Sequence, residues 1–210
     1  MKLLLERSEK MALNEPIAVR IAGSGGQGSV LAGRILAQAA VFDGKHVVQT
    51  QLYGAQVRGG ISHCDVLISD EWIDFPEASQ FDVMYLMHPD VVKAYYKLLR
   101  VNGVVLLDYT FLQSIPQKIL SVTKKIIALP LERFAIEKFK TPIVSNMIGL
   151  GALVKATQIV SLDSLRKAVE EIISERYAKM NIEAIEYGYS SVNKEYRFRS
   201  EHKVRTLGFE

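Results

Sequence analysis

Over its first two thirds the chain alternates short strand-like apolar runs with longer helical ones, and beyond Pro130 it reads almost wholly as helix. Ile17 to Ala22 has the character of a strand. From Gln27 to Asp43 the apolar residues Leu31, Ile35, Ala39 and Phe42 fall on the i, i+4, i+8, i+11 row of one buried helix face, with Arg34 and Gln38 as a polar stripe. Gly44 is the predicted stop, and His46 to Thr50 is the next strand, which completes a βαβ unit. Ser62 to Ser69 then alternates, Ser69-Asp70-Glu71 is turn-like, and Trp72 to Phe75 alternates again. That pattern predicts an inserted β-hairpin.

Asp82 to Met87, Gly103 to Leu107 and Lys125 to Leu129 predict further strands, with a helix from Asp90 to Leu99 between the first two. Leu131 to Phe139, Val144 to Gln158, Ser164 to Ile173 and Met180 to Val192 have helical spacing. Asp163 is the expected N-cap of the third, and Pro142 stands where a helix cannot continue. The expected fold is α/β: a three-layer Rossmann-like sheet with an inserted hairpin and a helical C-terminal portion. One domain is expected over residues 16–192, with a leader at 1–15 and a basic tail at 193–210.

Composition narrows the class without changing this picture. At 49% apolar and 23% charged the chain is an ordinary globular protein, and Val104-Val105-Leu106-Leu107 is far too short to span a bilayer. Glu6, Arg7, Glu9 and Lys10 interrupt Met1 to Leu5, which argues against a secretory signal and for a cytoplasmic protein. Met11 is an alternative start. The single cysteine, Cys64, excludes an intrachain disulfide and an all-cysteine iron–sulfur site within this chain. Lys194, Arg197, Arg199, Lys203 and Arg205 against Glu195 and Glu201 account for the net charge of +3, so nothing points to nucleic acid. The tail is either a solvated, loosely ordered terminus or a docking arm for an acidic partner.

Two glycine clusters carry the candidate chemistry. Gly23-Ser24-Gly25-Gly26-Gln27-Gly28 is a G-x-G-x-x-G between a strand and a helix. There glycines let backbone approach a ligand, and helix-start N–H groups attract phosphate. Tyr53-Gly54-Ala55-Gln56-Val57-Arg58-Gly59-Gly60 adds one cation beside two bare-backbone positions, suited to a carboxylate or phosphate. The alternatives are glycines that serve only strand–helix packing and an ordinary surface arginine. A dinucleotide site should end its second strand with an acidic residue for the ribose, but this one ends Gln49-Thr50-Gln51-Leu52, which lowers the nicotinamide option. No Gly-Lys-Ser/Thr follows the loop, which excludes a P-loop.

His46, His63, His88 and His202 are scattered, so they build no metal site. His63 and Cys64 are neighbours on a strand and face opposite ways. His88-Pro89-Asp90 either lines a site or caps a helix, and the small residues from Ser145 to Ala152 suit close helix packing. No nucleophile–base arrangement or paired carboxylates stand out, which favours a subunit that contributes to a shared active site.

From residue 17 to about 190 the sequence resembles the gamma subunit of 2-oxoacid:ferredoxin oxidoreductases. The resemblance is carried by Gly23 to Gly28, Leu31-Ala32-Gly33, Tyr53-Gly54, Arg58-Gly59-Gly60, Asp82-Val83 and the helix from Asn146 to Ala152. It implies a multi-subunit enzyme that decarboxylates a 2-oxoacid, most like the 2-oxoglutarate branch, to its coenzyme A thioester and reduces ferredoxin. Thiamine diphosphate and iron–sulfur clusters would then sit on partner subunits, the expected partners being alpha and beta subunits with a ferredoxin-like delta subunit as a further candidate. It also implies that Gly23, Gly25, Gly26, Gln27 and Gly28 face coenzyme A phosphates or a neighbouring subunit, and that Tyr53, Arg58, Gly59 and Gly60 build the adjoining loop. Gln56 departs from the glutamate of many relatives, and the tail after Val192 lies outside the match. The rivals are a stand-alone NAD(P)-dependent dehydrogenase, an indolepyruvate oxidoreductase subunit and a purely structural assembly subunit.

Overall fold

The computed structural model describes residues 15–52, 60–112 and 114–197. Residues 1–14 of the expected leader, the segment Tyr53 to Gly59 and the tail beyond Arg197 lie outside the described residues.

Six strands form one sheet in the order β2-β3-β1-β4-β5-β6: β1 (Ile17–Ser24), β2 (His46–Leu52), β3 (Ile61–Ser69), β4 (Phe81–Leu86), β5 (Leu99–Asp108) and β6 (Lys125–Leu129). Strands β1, β4, β5 and β6 are parallel, whereas β3 runs antiparallel between β1 and β2. The parallel strands are covered on both faces and are therefore mostly apolar, Val104 to Leu107 being fully buried.

Side-chain parity divides the interior into two. Val19, Ile21, Tyr85 and Leu106 pack on one face of the sheet beneath α1 (Ser29–Phe42), α5 (Ser145–Thr157), α6 (Leu162–Ile172) and α7 (Glu175–Ser190), with α4 (Leu131–Phe139) at the margin. Ala18, Ala22, Met84 and Leu107 pack on the other, beneath α2 (Pro89–Tyr95) and the single turn α3 (Gln117–Leu120). The α/β architecture with helices on both faces is as expected.

The hairpin is not. Trp72 to Phe75 is not a strand, and Trp72 and Phe75 are 75% and 71% exposed. Both edges of β3 are already occupied, by Ile17 to Ser24 on one side and His46 to Leu52 on the other, so a following segment has no partner there. The cap of α6 is Ser161, whose Oγ accepts from the Ser164 N–H, and Asp163 sits in the first turn instead. The helix predicted from Met180 begins at Glu175, and the one predicted to Leu99 gives way at Tyr96 to a 3₁₀ turn. Gly44, at φ +76°, ends α1 as expected.

Close approach explains the small residues of α5. A Cβ on Gly151 would stand 2.0 Å from the Ile185 carbonyl oxygen, and one on Gly188 would stand 1.8 Å from that of Ile148. The α5 and α7 backbones therefore touch, and the Ser145 to Ala152 stripe packs internally. The start of the C-terminal tail is also seated. The Tyr196 N–H donates to the Ala156 carbonyl at 2.7 Å, and its ring packs on the core. Lys155 pairs with Glu195 at 2.6 Å, and Lys125 donates to the Arg197 carbonyl. Tyr196 is half-buried by these contacts, whereas Asn193, Lys194, Glu195 and Arg197 are exposed.

Candidate functional site

Between β1 and α1 the chain makes a short turn at the carboxyl end of the parallel strands. There α1 leaves over one face of the sheet while the next crossover, α2, lies on the other. Open α/β sheets bind ligands at such a reversal. Gln27 sets the loop: its N–H donates to the Ser24 carbonyl at 3.0 Å, its side-chain oxygen accepts from the Ser24 N–H at 2.7 Å, and its amide donates to the Met87 carbonyl at 3.4 Å.

Two of the glycines are required by backbone shape. Gly26 has φ +97° with open space where a Cβ would be. Gly28, the N-cap of α1, has φ +74°, and a Cβ there would stand 2.3 Å from the Asn146 amide nitrogen. That amide donates to the Gly28 carbonyl at 3.2 Å, while the Asn146 side-chain oxygen accepts from the Met147 N–H at 2.9 Å.

The last residue of the second glycine cluster, Gly60, meets the first cluster. The Gly25 N–H donates to the Gly60 carbonyl at 2.8 Å, and Ser29 and Ser62 share a hydroxyl–hydroxyl bond of 2.9 Å just below. Gly23, Gly25, Gly26, Gln27, Gly28 and Gly60 are therefore brought together; Tyr53, Arg58 and Gly59 lie outside the described residues.

A cleft of about 440 Å³ opens beside the loop, with Gly26, Gln27 and Gly28 on one wall and Glu132, Asn146 and Tyr177 among the residues opposite. Its described lining has one carboxylate and no lysine or arginine. An anion held here would rest on the α1 N–H groups, which have no partner within the helix, and on a cation supplied from beside the cleft. Glu132, Asn146 and Tyr177 were not foreseeable as neighbours of the loop, since no spacing links them to Gly28.

Beneath Glu132 lies Asp108, buried at the end of β5, which accepts from the Thr110 N–H at 2.9 Å and the Leu131 N–H at 3.1 Å and so fixes the start of α4. Burial pushes the Asp108 carboxyl up despite these bonds. Burial, then the charge of Asp108, pushes Glu132 up as well. Fully buried Tyr85, held well above its usual range by burial, donates to the Ser145 carbonyl at 3.3 Å.

On the opposite face of the sheet Arg20 is bonded to Asp65 through Nε at 2.7 Å and through the guanidinium at 2.6 Å, and it lies over the rings of Phe81 and Tyr95. His63 joins this group through Tyr95 at 3.0 Å; burial, then Arg20, lowers its pKa. Cys64 points the other way into the core, its thiol pushed up to about 12 by burial, so the pair cannot act on one substrate. His88 caps α2, accepting from the Asp90 N–H at 3.3 Å. Among the described residues no three His, Cys, Asp or Glu side chains are grouped as a metal site would need. Among the described residues the cleft thus pairs the glycine loop at the start of α1 with polar side chains from α4, α5 and α7.

The pyruvate ferredoxin/flavodoxin oxidoreductase family model matches residues 18–191. The 2-oxoglutarate synthase subunit KorC of Methanocaldococcus jannaschii is 39% identical over 172 residues, covering 81% of this chain and 91% of that one. The gamma subunit of keto/oxoacid ferredoxin oxidoreductase from Geobacter sulfurreducens superposes with a TM-score of 0.74 at 33% identity, over 83% of this chain and 95% of that one. The 2-oxoglutarate:ferredoxin oxidoreductase of Magnetococcus marinus, solved with 2-oxoglutarate, coenzyme A and succinyl-CoA bound, shares the fold. Its TM-score is 0.75 at 22% identity, and the match spans 88% of this chain and 33% of that longer one. With the family model matched over most of its length and relatives above 30% identity over four fifths of it, the chain belongs to the pyruvate ferredoxin/flavodoxin oxidoreductase family.

Proposed function

We propose that this chain is the gamma-type subunit of a cytoplasmic 2-oxoglutarate:ferredoxin oxidoreductase and supplies one wall of its coenzyme A site. The reaction converts 2-oxoglutarate and coenzyme A to succinyl-CoA and carbon dioxide, with two electrons passing to ferredoxin. Thiamine diphosphate and the iron–sulfur clusters belong to the alpha and beta partners, with the ferredoxin-like delta subunit alongside. One cysteine in the whole chain cannot ligate a cluster unaided. This subunit's own contribution is to orient the thiol-bearing cosubstrate and to complete the assembly.

The bond between Gly25 and Gly60 supports this reading most directly, because it brings the last residue of the second glycine cluster to the loop at the start of α1. Helix-start N–H groups suit a pyrophosphate, and Arg58 would add the compensating charge. The KorC relatives favour 2-oxoglutarate over pyruvate as substrate.

The test uses the reconstituted complex. Gln27→Ala, which releases the loop, is expected to raise the KM for coenzyme A about tenfold and to leave that for 2-oxoglutarate within about twofold, the loss of one or two hydrogen bonds to an anion. A photoreactive coenzyme A should label the peptide containing residues 23–28. Label found solely on other subunits, with an unchanged coenzyme A titration, would assign these loops to assembly alone.

A further inference from the structure

Three openings run together along the exposed side of α1. The cleft at the glycine loop has Leu31 on its wall. A groove of about 630 Å³ between α1 and β2 shares Leu31 and adds Arg34, Gln49 and Gln51; a third of about 410 Å³ shares Arg34 and Gln49 and ends at Glu171. Leu31, Arg34 and Gln38 are three and four residues apart and so lie on one helix face.

Arg34 is the unspent group in this groove. Among the described residues Arg20, Arg100, Arg133 and Arg166 each hold a carboxylate, and Arg176 lies over Tyr177. Gln38 is engaged with Glu171 at 3.3 Å. Arg34 is exposed and has no hydrogen bond, ion pair or ring contact among the described residues. Its neighbours across the groove, Gln49 and Gln51, are neutral amides on the strand where a dinucleotide site would carry a ribose-binding carboxylate. Among the described residues that line the opening between α1 and β2 none is acidic.

Arg34 is six residues beyond Gly28, roughly 9 Å along the axis, and helical side chains lean toward the N-terminus, which brings the guanidinium nearer the loop. Two anion-binding groups thus stand about one ribose apart on one continuous groove. Resting on the coenzyme A reading given above, we infer that Arg34 binds the ligand's second anionic group, the 3′-phosphate on its ribose. The start of α1 takes the pyrophosphate. The groove between α1 and β2 therefore discriminates a 3′-phosphorylated nucleotide from its dephosphorylated form.

The experiment compares coenzyme A with 3′-dephospho-coenzyme A in the intact complex carrying Arg34→Gln, Arg34→Lys or Gln27→Ala. Arg34→Gln is expected to raise the KM for coenzyme A about tenfold while leaving that for the dephosphorylated analogue unchanged, and Arg34→Lys should fall between. Gln27→Ala should raise both together. If Arg34→Gln shifts both cosubstrates equally, or neither, the assignment of Arg34 is overturned while the glycine-loop reading survives. If Gln27→Ala also moves neither, that reading fails with it. A complex that loses subunits on Arg34→Gln with its cosubstrate preference intact would make the arginine a protein contact and overturn the inference.

Discussion

Gly26 and Gly188 are both indispensable glycines, for opposite reasons. Gly26 has a backbone angle of φ +97° and empty space where a side chain would begin, so the chain keeps it bare toward a cleft. Gly188 lacks the positive φ but sits against the Ile148 carbonyl, so the chain keeps it bare toward itself. On the coenzyme A reading proposed above the first would serve recognition, whereas the second serves packing. What a methyl group would meet separates them, whereas the residue type alone does not.

The strongest challenge to that distinction is Gly188→Ala. With 1.8 Å to a main-chain oxygen, two helix backbones must part, and the expected loss is about 3 kcal/mol or more. For a domain of this size that lowers Tm by roughly 6–12 °C. A melting curve within about 2 °C of the wild type would show that α5 and α7 separate at little cost. Gly26→Ala has no such clash and should cost only about 1–2 kcal/mol of backbone strain. In the reconstituted complex it should nonetheless weaken coenzyme A saturation severalfold, and a change in stability without one in cosubstrate titration would remove the loop from recognition.

The smallest expected effect concerns a group outside both regions. His63 titrates below the ordinary histidine value in the folded chain because burial and Arg20 oppose its charge, Asp65 offsetting part of this. The unfolded chain therefore binds more protons as the pH falls below about 7, and stability declines until the folded value is passed. Replacing the imidazole by His63→Gln, which can still bond to Tyr95, should flatten that stretch of the stability–pH profile. An unaltered slope between about pH 7 and pH 5 would assign the dependence to other groups.

Local signals carried much of the fold. β6 spans Lys125 to Leu129 as predicted, and the loop from Gly23 to Gly28 stands between a strand and a helix as its glycines require. Trp72 to Phe75 misled because alternation records a face and says nothing of a partner, and β3 had already found both of its partners elsewhere. The start of α7 was hidden because Glu175, Arg176 and Lys179 are polar and carry no periodic apolar signal. Ser161 won the cap of α6 through Asp43, whose carboxylate accepts from the Ser161 N–H at 2.6 Å across 118 residues of chain.

The site divides in the same way. Its glycines were legible because conformational demands are local. Asn146, equally distant in sequence from Gly28, was not, because nothing in a string of residues announces which amide will reach a remote carbonyl.

Cys64 also has a practical use. The sole thiol in 210 residues, it is sealed against Gly33, where a Cβ would approach its sulfur to 2.3 Å, and it is kept protonated by its surroundings. An alkylating reagent can reach it only when β3 and α1 come apart, so the rate of modification is a clock for that opening event. The native molecule is otherwise silent to such reagents. Reporter cysteines can therefore be placed one at a time around the cleft with the natural residue left in place.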